Sequence, residues 1–457
     1  MSQTQAQERD SGFYRQLGRL FIPVVIQNLL NAAVNSADVI MLNFVGQDAI
    51  SAVSLATQYA NILFMVFYGL GTGATMLCAQ YYGKGDMRAV QVVEGIAMRF
   101  SIGISLAFAL AALCVPQWMM RIFTDDAELI RLGCEYLRIM SVTYLCWGVI
   151  EVYLSVLRSV GRVMVSMLMN LVAFVLNVCL NAVFIFGWLG APRMGVAGVA
   201  IGTVMSQCIA AVLTIRCLLK TDAPYGLQLR ELRIVKAKLF RILHVGIPTG
   251  ISGAMFSISN VLIQSSINSF DSSIIVAGNT ASGNIEGFVY NGMNAFYQAA
   301  LTFTGQNTGA HKPKRVLAIL LWCLLSVTVI GLVLGGIVVI FGHQLLAIYN
   351  PDPEVIAYGF ERLQIIALTY FLCGVMDVVT GSIRGLGPSV TPTVISLTGI
   401  CLLRIVWIYT IFAVRHDLFT LYLSYPVSWI ITFAANIACF AFFFVRWRKR
   451  VEAVPST

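Results

Sequence analysis

Long apolar stretches recur along this chain between short polar breaks. They lie near 20–44, 51–81, 92–115, 135–158, 163–188 and 195–220, and again near 240–268, 275–306, 316–341, 361–384, 390–413 and 418–446. A bilayer-spanning helix needs about 20 mostly apolar residues, so the pattern predicts an all-α polytopic membrane protein with twelve transmembrane helices. Several stretches are longer than that minimum, which predicts tilt or interfacial helix ends. The longest polar connection, residues 221–239, falls in mid-chain and carries LRELRIVKAK, an amphipathic, cationic segment suited to a membrane surface. It divides the chain into expected six-helix lobes over 1–220 and 240–457, both entering from the same side.

The second half repeats the first. Residues 136–162 align without a gap on 362–388, with Leu137/Leu363, Ile139/Ile365, Thr143/Thr369, Tyr144/Tyr370, Gly148/Gly374, Val149/Val375, Val152/Val378, Arg158/Arg384 and Gly161/Gly387 identical at an offset of 226. Chance would give about two matches over such a length. The same offset joins Gln80/Gln306 and Gly83/Gly309, while Pro23/Pro248 are 225 apart. With six spans in each half, the repeat is parallel, related by an axis along the membrane normal. Two such bundles flanking a cleft can rock, which is alternating access.

Composition sharpens the picture. Of 457 residues, 58% are hydrophobic and 11% charged, against about 25% charged in soluble domains. The net charge of +9 raises the question of nucleic acid, but 22 of the 30 Lys and Arg residues fall in segments that lie on one side of the predicted spans. That asymmetry is the positive-inside rule and predicts an inner (cytoplasmic) membrane protein with both termini cytoplasmic, its basic patches facing membrane lipid. Arg121, Arg131, Arg193, Arg362 and Arg415 fall in outer loops on the same reading. The eleven cysteines and four histidines show no CxxC or metal-ligand spacing, so disulfides, structural zinc and cofactors are not expected. Gly69, Gly71 and Gly73 lie within a span and lack a following GK[ST], so they predict close helix packing. No HExxH or comparable catalytic cluster suggests an enzyme.

Four acids, Asp38, Glu151, Glu286 and Asp377, sit deep in apolar spans, where an ionised carboxylate costs about 2.5–3.5 kcal/mol on insertion scales. Asp38 lies in the outer half of helix one. Asn177 and Asn181, at i and i+4, share a face of helix five at similar depth, Tyr136 opens helix four from the outside, and Thr203 lies just inside helix six. These five polar side chains from four helices fall in one layer. Glu151 and Asp377 are equivalent, each seven residues before Arg158 or Arg384 and on the same helix face. They suit a cytoplasmic gate or brace. Glu286 and Arg404, in mid-span of helices eight and eleven, either pair as a brace or serve a substrate site.

Several ordered motifs resemble the multidrug and toxic compound extrusion (MATE) transporters over nearly the whole chain: PVVIQNLLNAAVNSADVIMLNFVG in helix one, AQYYGKGD and TGQNTGAHK ending helices two and eight, and LNVCLNAVFIFG in helix five. The resemblance is nearer the bacterial DinF-like branch. It implies an antiporter that exports amphipathic or cationic organic compounds, drugs or metabolites, in exchange for H+ or Na+. It also implies that Asp38, Tyr136, Asn177, Asn181 and Thr203 form the ion-responsive network, although the same group also reads as a hydrogen-bonded lock between helices. Asn181 stands where the family often has a second Asp, and that smaller charge favours the proton over sodium. The wider superfamily includes lipid-linked precursor flippases, an alternative that the scarcity of deep basic residues disfavours. A monomer without nucleic-acid partners is expected.

Overall fold

The computed structural model describes residues 23–30, 47–190, 192, 194–220 and 235–453. Helix α1 (23–30) is followed by α2 (Gln47–Lys84), α3 (Met87–Cys114), α4 (Pro116–Arg121), α5 (Ala127–Ser159), α6 (Val163–Phe186) and α7 (Gly195–Lys220). Then come α8 (Lys236–Asn268), α9 (Ser273–Gly309), α10 (Pro313–Ile340), α11 (Gly342–Tyr349), α12 (Pro353–Leu386), α13 (Val390–Phe412) and α14 (Leu418–Glu452). Among the described residues, ten helices are long and apolar enough to cross a membrane. The more polar α9, 37 residues long, and helix one bring the fold to twelve transmembrane helices in two six-helix bundles. The short α4 and α11 were not anticipated from the apolar pattern.

The duplication governs where helices begin. Gln47/Ser273, Met87/Pro313, Pro116/Gly342 and Ala127/Pro353 are paired helix starts 226 residues apart, and Cys114/Ile340 are paired ends at the same spacing. The start signals repeat too. Asp126 accepts a hydrogen bond from the Glu128 backbone N–H at 2.9 Å, and Asp352 accepts the equivalent bond from Glu354 at 2.9 Å. Both satisfy donors that the first helical turn leaves open.

Two compact units emerge. The first holds the described residues between 29 and 250, and the second joins residues 23–28 to 251–453. Helix α8 changes unit two residues after Pro248, and Asn28 donates to the Asn291 carbonyl of α9 at 3.1 Å.

In the first unit α5 is central, packed by α2, α3 and α7, while α6 lies along α7. Tyr59, Leu63, Phe67, Leu137, Tyr144 and Ala200 form its core. Small residues allow the close contacts. Ser101 donates to the Gly148 carbonyl at 2.7 Å, and Gly69 and Gly73 bring α2 against the backbone of Gly246 and Ile242 on α8, where any Cβ would collide. Backbone approach of this kind is how helices associate where lipid removes the hydrophobic drive. Gly71 faces the Ser155 hydroxyl instead.

The second unit repeats the arrangement, with α12 central among α9, α10 and α14. Ile263, Ile366, Cys373, Met376, Tyr422 and Trp429 build its core. On α10, Leu317, Leu321, Leu325 and Leu332 are exposed while Val316, Leu320, Cys323 and Val327 are buried. A helix apolar on both its inner and outer faces is one that lies against lipid.

Candidate functional site

The polar layer of the first unit rests on the spacing of helix α6. Asn177 and Asn181, one turn apart, point the same way and are 2% and 0% exposed. Asn181 Nδ2 donates to Asn177 Oδ1 at 3.4 Å, and Asn177 Nδ2 donates to Thr203 Oγ1 on α7 at 3.1 Å. Gly202 permits the approach of α7, since a Cβ there would run into Asn181. Tyr136 is buried on α5, which packs against both α6 and α7; it lies nine residues beyond the start of α5 at Ala127, not at the helix mouth. Asp38 lies outside the described residues. The side chains described here are neutral, with amide and hydroxyl oxygens as potential ligands; hard cations use such oxygens but favour sites that also carry carboxylates.

In the second unit Glu286 does not pair with Arg404. It is gripped by Arg362, whose Nε donates to Oε1 at 2.9 Å and whose Nη2 donates to Oε2 at 2.7 Å. Arg362 was expected in an outer loop. Helix α12 starts at Pro353, earlier than the apolar pattern suggests, and this carries Arg362 nine residues into the helix, where it is 7% exposed. Arg362 Nη1 also donates to Asn279 Oδ1, Asn279 Nδ2 donates to Gln264 Oε1 at 2.7 Å, and the guanidinium lies over the rings of Tyr422 and Tyr425. The planar two-point grip is the strong geometry for this pair.

Arg404, 1% exposed, belongs to a separate group. It stacks on Tyr425 with 4.2 Å between guanidinium and ring centre, and donates through Nε to Ser428 Oγ at 3.1 Å.

The two duplicated acid–arginine pairs have diverged. Arg158 Nη2 lies 4.0 Å from Glu151 and donates to Ser155 Oγ at 3.1 Å. No ion pair joins Arg384 to Asp377 among the described residues; Arg384 Nη1 instead donates to the Tyr297 hydroxyl at 2.7 Å and Nη2 to Thr393 at 3.4 Å. The cause is an exchange of bulk between the halves. Gly71 facing Ser155 in the first becomes Tyr297 facing Gly381 in the second, where a Cβ on Gly381 would lie 2.7 Å from the Tyr297 carbonyl.

The MatE family model matches residues 23–183 and, again, 248–410, once in each half of the chain. The chain belongs to the MatE family. It is a multi-pass membrane transporter, not an enzyme. It is similar to the probable multidrug resistance protein YoeA of Bacillus subtilis, 22% identical over 452 residues that cover 96% of this chain and 95% of that one. The probable multidrug resistance protein NorM of Thermotoga maritima is 25% identical over 397 residues, covering 86% and 84%. Among solved structures, the outward-facing conformation of a multidrug resistance MATE family transporter of the MOP superfamily matches with a TM-score of 0.84 at 20% identity over 96% of both chains. A MATE in the straight conformation matches at 0.86 and 20% identity, over 96% of this chain and 97% of that one.

In this MatE chain one further acid escaped the apolar pattern. Glu94 on α3 is fully buried, and neither carboxylate oxygen has a hydrogen-bond partner among the described residues. The repeat held the signal: the position 226 residues on is Leu320, itself buried, so Glu94 occupies a core position of the shared design.

Proposed function

We propose that the chain is an ion-coupled antiporter of the bacterial inner membrane, with both termini cytoplasmic. It exports amphipathic, often cationic organic compounds by alternating access, and protons, or alternatively sodium ions, flow inward. The observation that carries this reading is the buried run from Asn181 through Asn177 to Thr203, with Tyr136 buried on α5, a helix that packs against both α6 and α7. A hydrogen-bonded layer of neutral groups in a membrane protein is a setting in which one added charge, that of Asp38, responds strongly to a proton or a cation. The names of the relatives, multidrug resistance proteins, support the substrate class.

The test is efflux of an amphipathic organic cation from proteoliposomes under imposed proton and sodium gradients in turn. Wild-type protein is expected to respond to the inward proton gradient, and Asp38→Asn, which keeps the side chain's shape, to insert normally and lose that response. Efflux driven by neither gradient overturns the antiport reading. Undiminished proton-driven efflux by Asp38→Asn removes Asp38 from the coupling role.

A further inference from the structure

Among the described residues, Arg404 is a cation without a paired counter-charge. An arginine stays protonated under any condition a protein survives, and this one is 1% exposed. Its neighbours by contact are Tyr425, Ser428, Phe256 and Trp429, none of them a carboxylate. Asp377 sits one turn from Cys373 on α12, yet no ion pair joins it to Arg404 among the described residues. Of the five N–H donors of the guanidinium, one reaches Ser428 and another reaches Ser259 Oγ at the long distance of 3.5 Å. Among the described residues neither Nη2 nor the indole Nε1 of Trp429, a donor only and equally buried, has a hydrogen-bond partner. The guanidinium carbon lies over the Trp429 ring, 5.9 Å from its centre.

The local backbone is built around this point. Arg404 lies in a single α-helical turn and a half, Leu403–Trp407, between π-helical segments at Leu397–Leu402 and Ile408–Phe412. Such widened turns recur at functional positions. Phe256 and Tyr425 wall the guanidinium, at 5.9 and 4.2 Å from their ring centres.

We propose that Arg404 Nη2 and Trp429 Nε1 form a binding site for a monovalent anion within the second unit, taking a halide or the carboxylate group of an amphipathic compound. One buried positive charge, with the unpartnered Nη2 and indole Nε1 as donors, matches one negative charge. A dianion such as sulfate or a phosphate monoester brings an excess charge into an apolar surround, at a cost that excludes it. Halide and carboxylate share this chemistry but differ in source, one from the medium and one from a transported molecule. The site is separate from the proposed ion-coupling residues and does not depend on that reading.

The experiment uses purified full-length protein in detergent, without gradients, so it fails or succeeds apart from any transport assay. Sodium sulfate is replaced stepwise by sodium chloride or by sodium benzoate at constant ionic strength, and the thermal unfolding midpoint is followed. A ligand that binds only the folded state raises the midpoint saturably. Wild-type protein is expected to show such a rise with chloride, with benzoate or with both. Trp429→Phe keeps the ring packing and removes one donor to the anion, and is expected to raise the half-saturating concentration about tenfold. Arg404→Gln is expected to abolish saturation. A response to chloride alone assigns an inorganic anion, and one to benzoate, competed by chloride, assigns a substrate carboxylate. No saturable rise with either anion overturns the proposal. So does a titration curve in Trp429→Phe identical to that of wild type, a comparison that holds even where Arg404→Gln fails to fold.

Discussion

Arg362 on α12 holds both carboxylate oxygens of Glu286 on α9, at 2.9 and 2.7 Å, in an interior where both side chains are almost wholly buried. These two helices are the most extensively packed in the second unit, and the pair fixes their register, with Asn279 and Gln264 extending the network. A salt bridge so placed is a poor source of net stability against an apolar substitute, but breaking it from one side strands a buried charge.

Glu286→Gln alone is therefore expected to cost about 3–5 kcal/mol, seen as a marked fall in the unfolding midpoint of the purified protein. The double replacement Glu286→Leu with Arg362→Met is expected to recover most of that loss. Recovery would mark the pair as a brace. A single variant of normal stability that transports no cationic substrate would instead give Glu286 a substrate role.

The cap at the start of α14 makes a pH-dependent contribution. Asp417 accepts from the Thr420 backbone N–H at 2.6 Å and from its hydroxyl at 3.0 Å. That backbone hydrogen bond holds its carboxyl below the usual aspartate value. For an acid whose folded pKa is lowered, the stabilisation is complete above the unfolded value, near 3.9, and is lost as pH falls through the lower folded value. Asp417→Ala is expected to lose about 1 kcal/mol at neutral pH. Its stability should converge with that of wild type only once the pH falls below about 3.9, in urea titrations at a series of pH values. A difference that persists unchanged into strong acid would assign the cap to something other than the carboxylate.

The fold was legible because two signals agreed: apolar length and the 226-residue repeat point to the same helices, whereas the duplicated caps Asp126 and Asp352, which start two of them earlier than the apolar pattern does, emerge only in the structure. The layer of Asn177, Asn181 and Thr203 was legible for a similar reason, since helical spacing alone puts the two amides on one face. Arg362 was not, because a charge near a span boundary reads as a loop residue when the helix runs on past its apolar part. Glu94 was missed in the same way, seven residues from the start of α3. The divergence of Arg384 from Arg158 could not be read locally at all. It follows from a tyrosine at 297 on another helix, where the repeat alone would place the counterpart of Gly71.

Asn181 occupies the position at which the family resemblance implies a second acid. Asn181 is fully buried, and Gly202 stands against it so closely that only a side chain of equal size fits. Asn181→Asp meets that demand but replaces an amide donor with a second acceptor, facing Asn177 Oδ1 at the position now bridged at 3.4 Å. Two acceptors in contact, one of them charged, repel unless a proton or a cation comes between them. Stability of Asn181→Asp is therefore expected to depend on sodium, with an unfolding midpoint that rises when sodium replaces choline. At sodium a hundredfold above its dissociation constant the gain is about 2.7 kcal/mol, and wild-type protein should respond far less. In proteoliposomes the same variant should shift its efflux from the proton towards the sodium gradient. A variant that folds yet ignores sodium in both assays would show that Asn181 lies outside the ion site and serves only to lock α6 to α7.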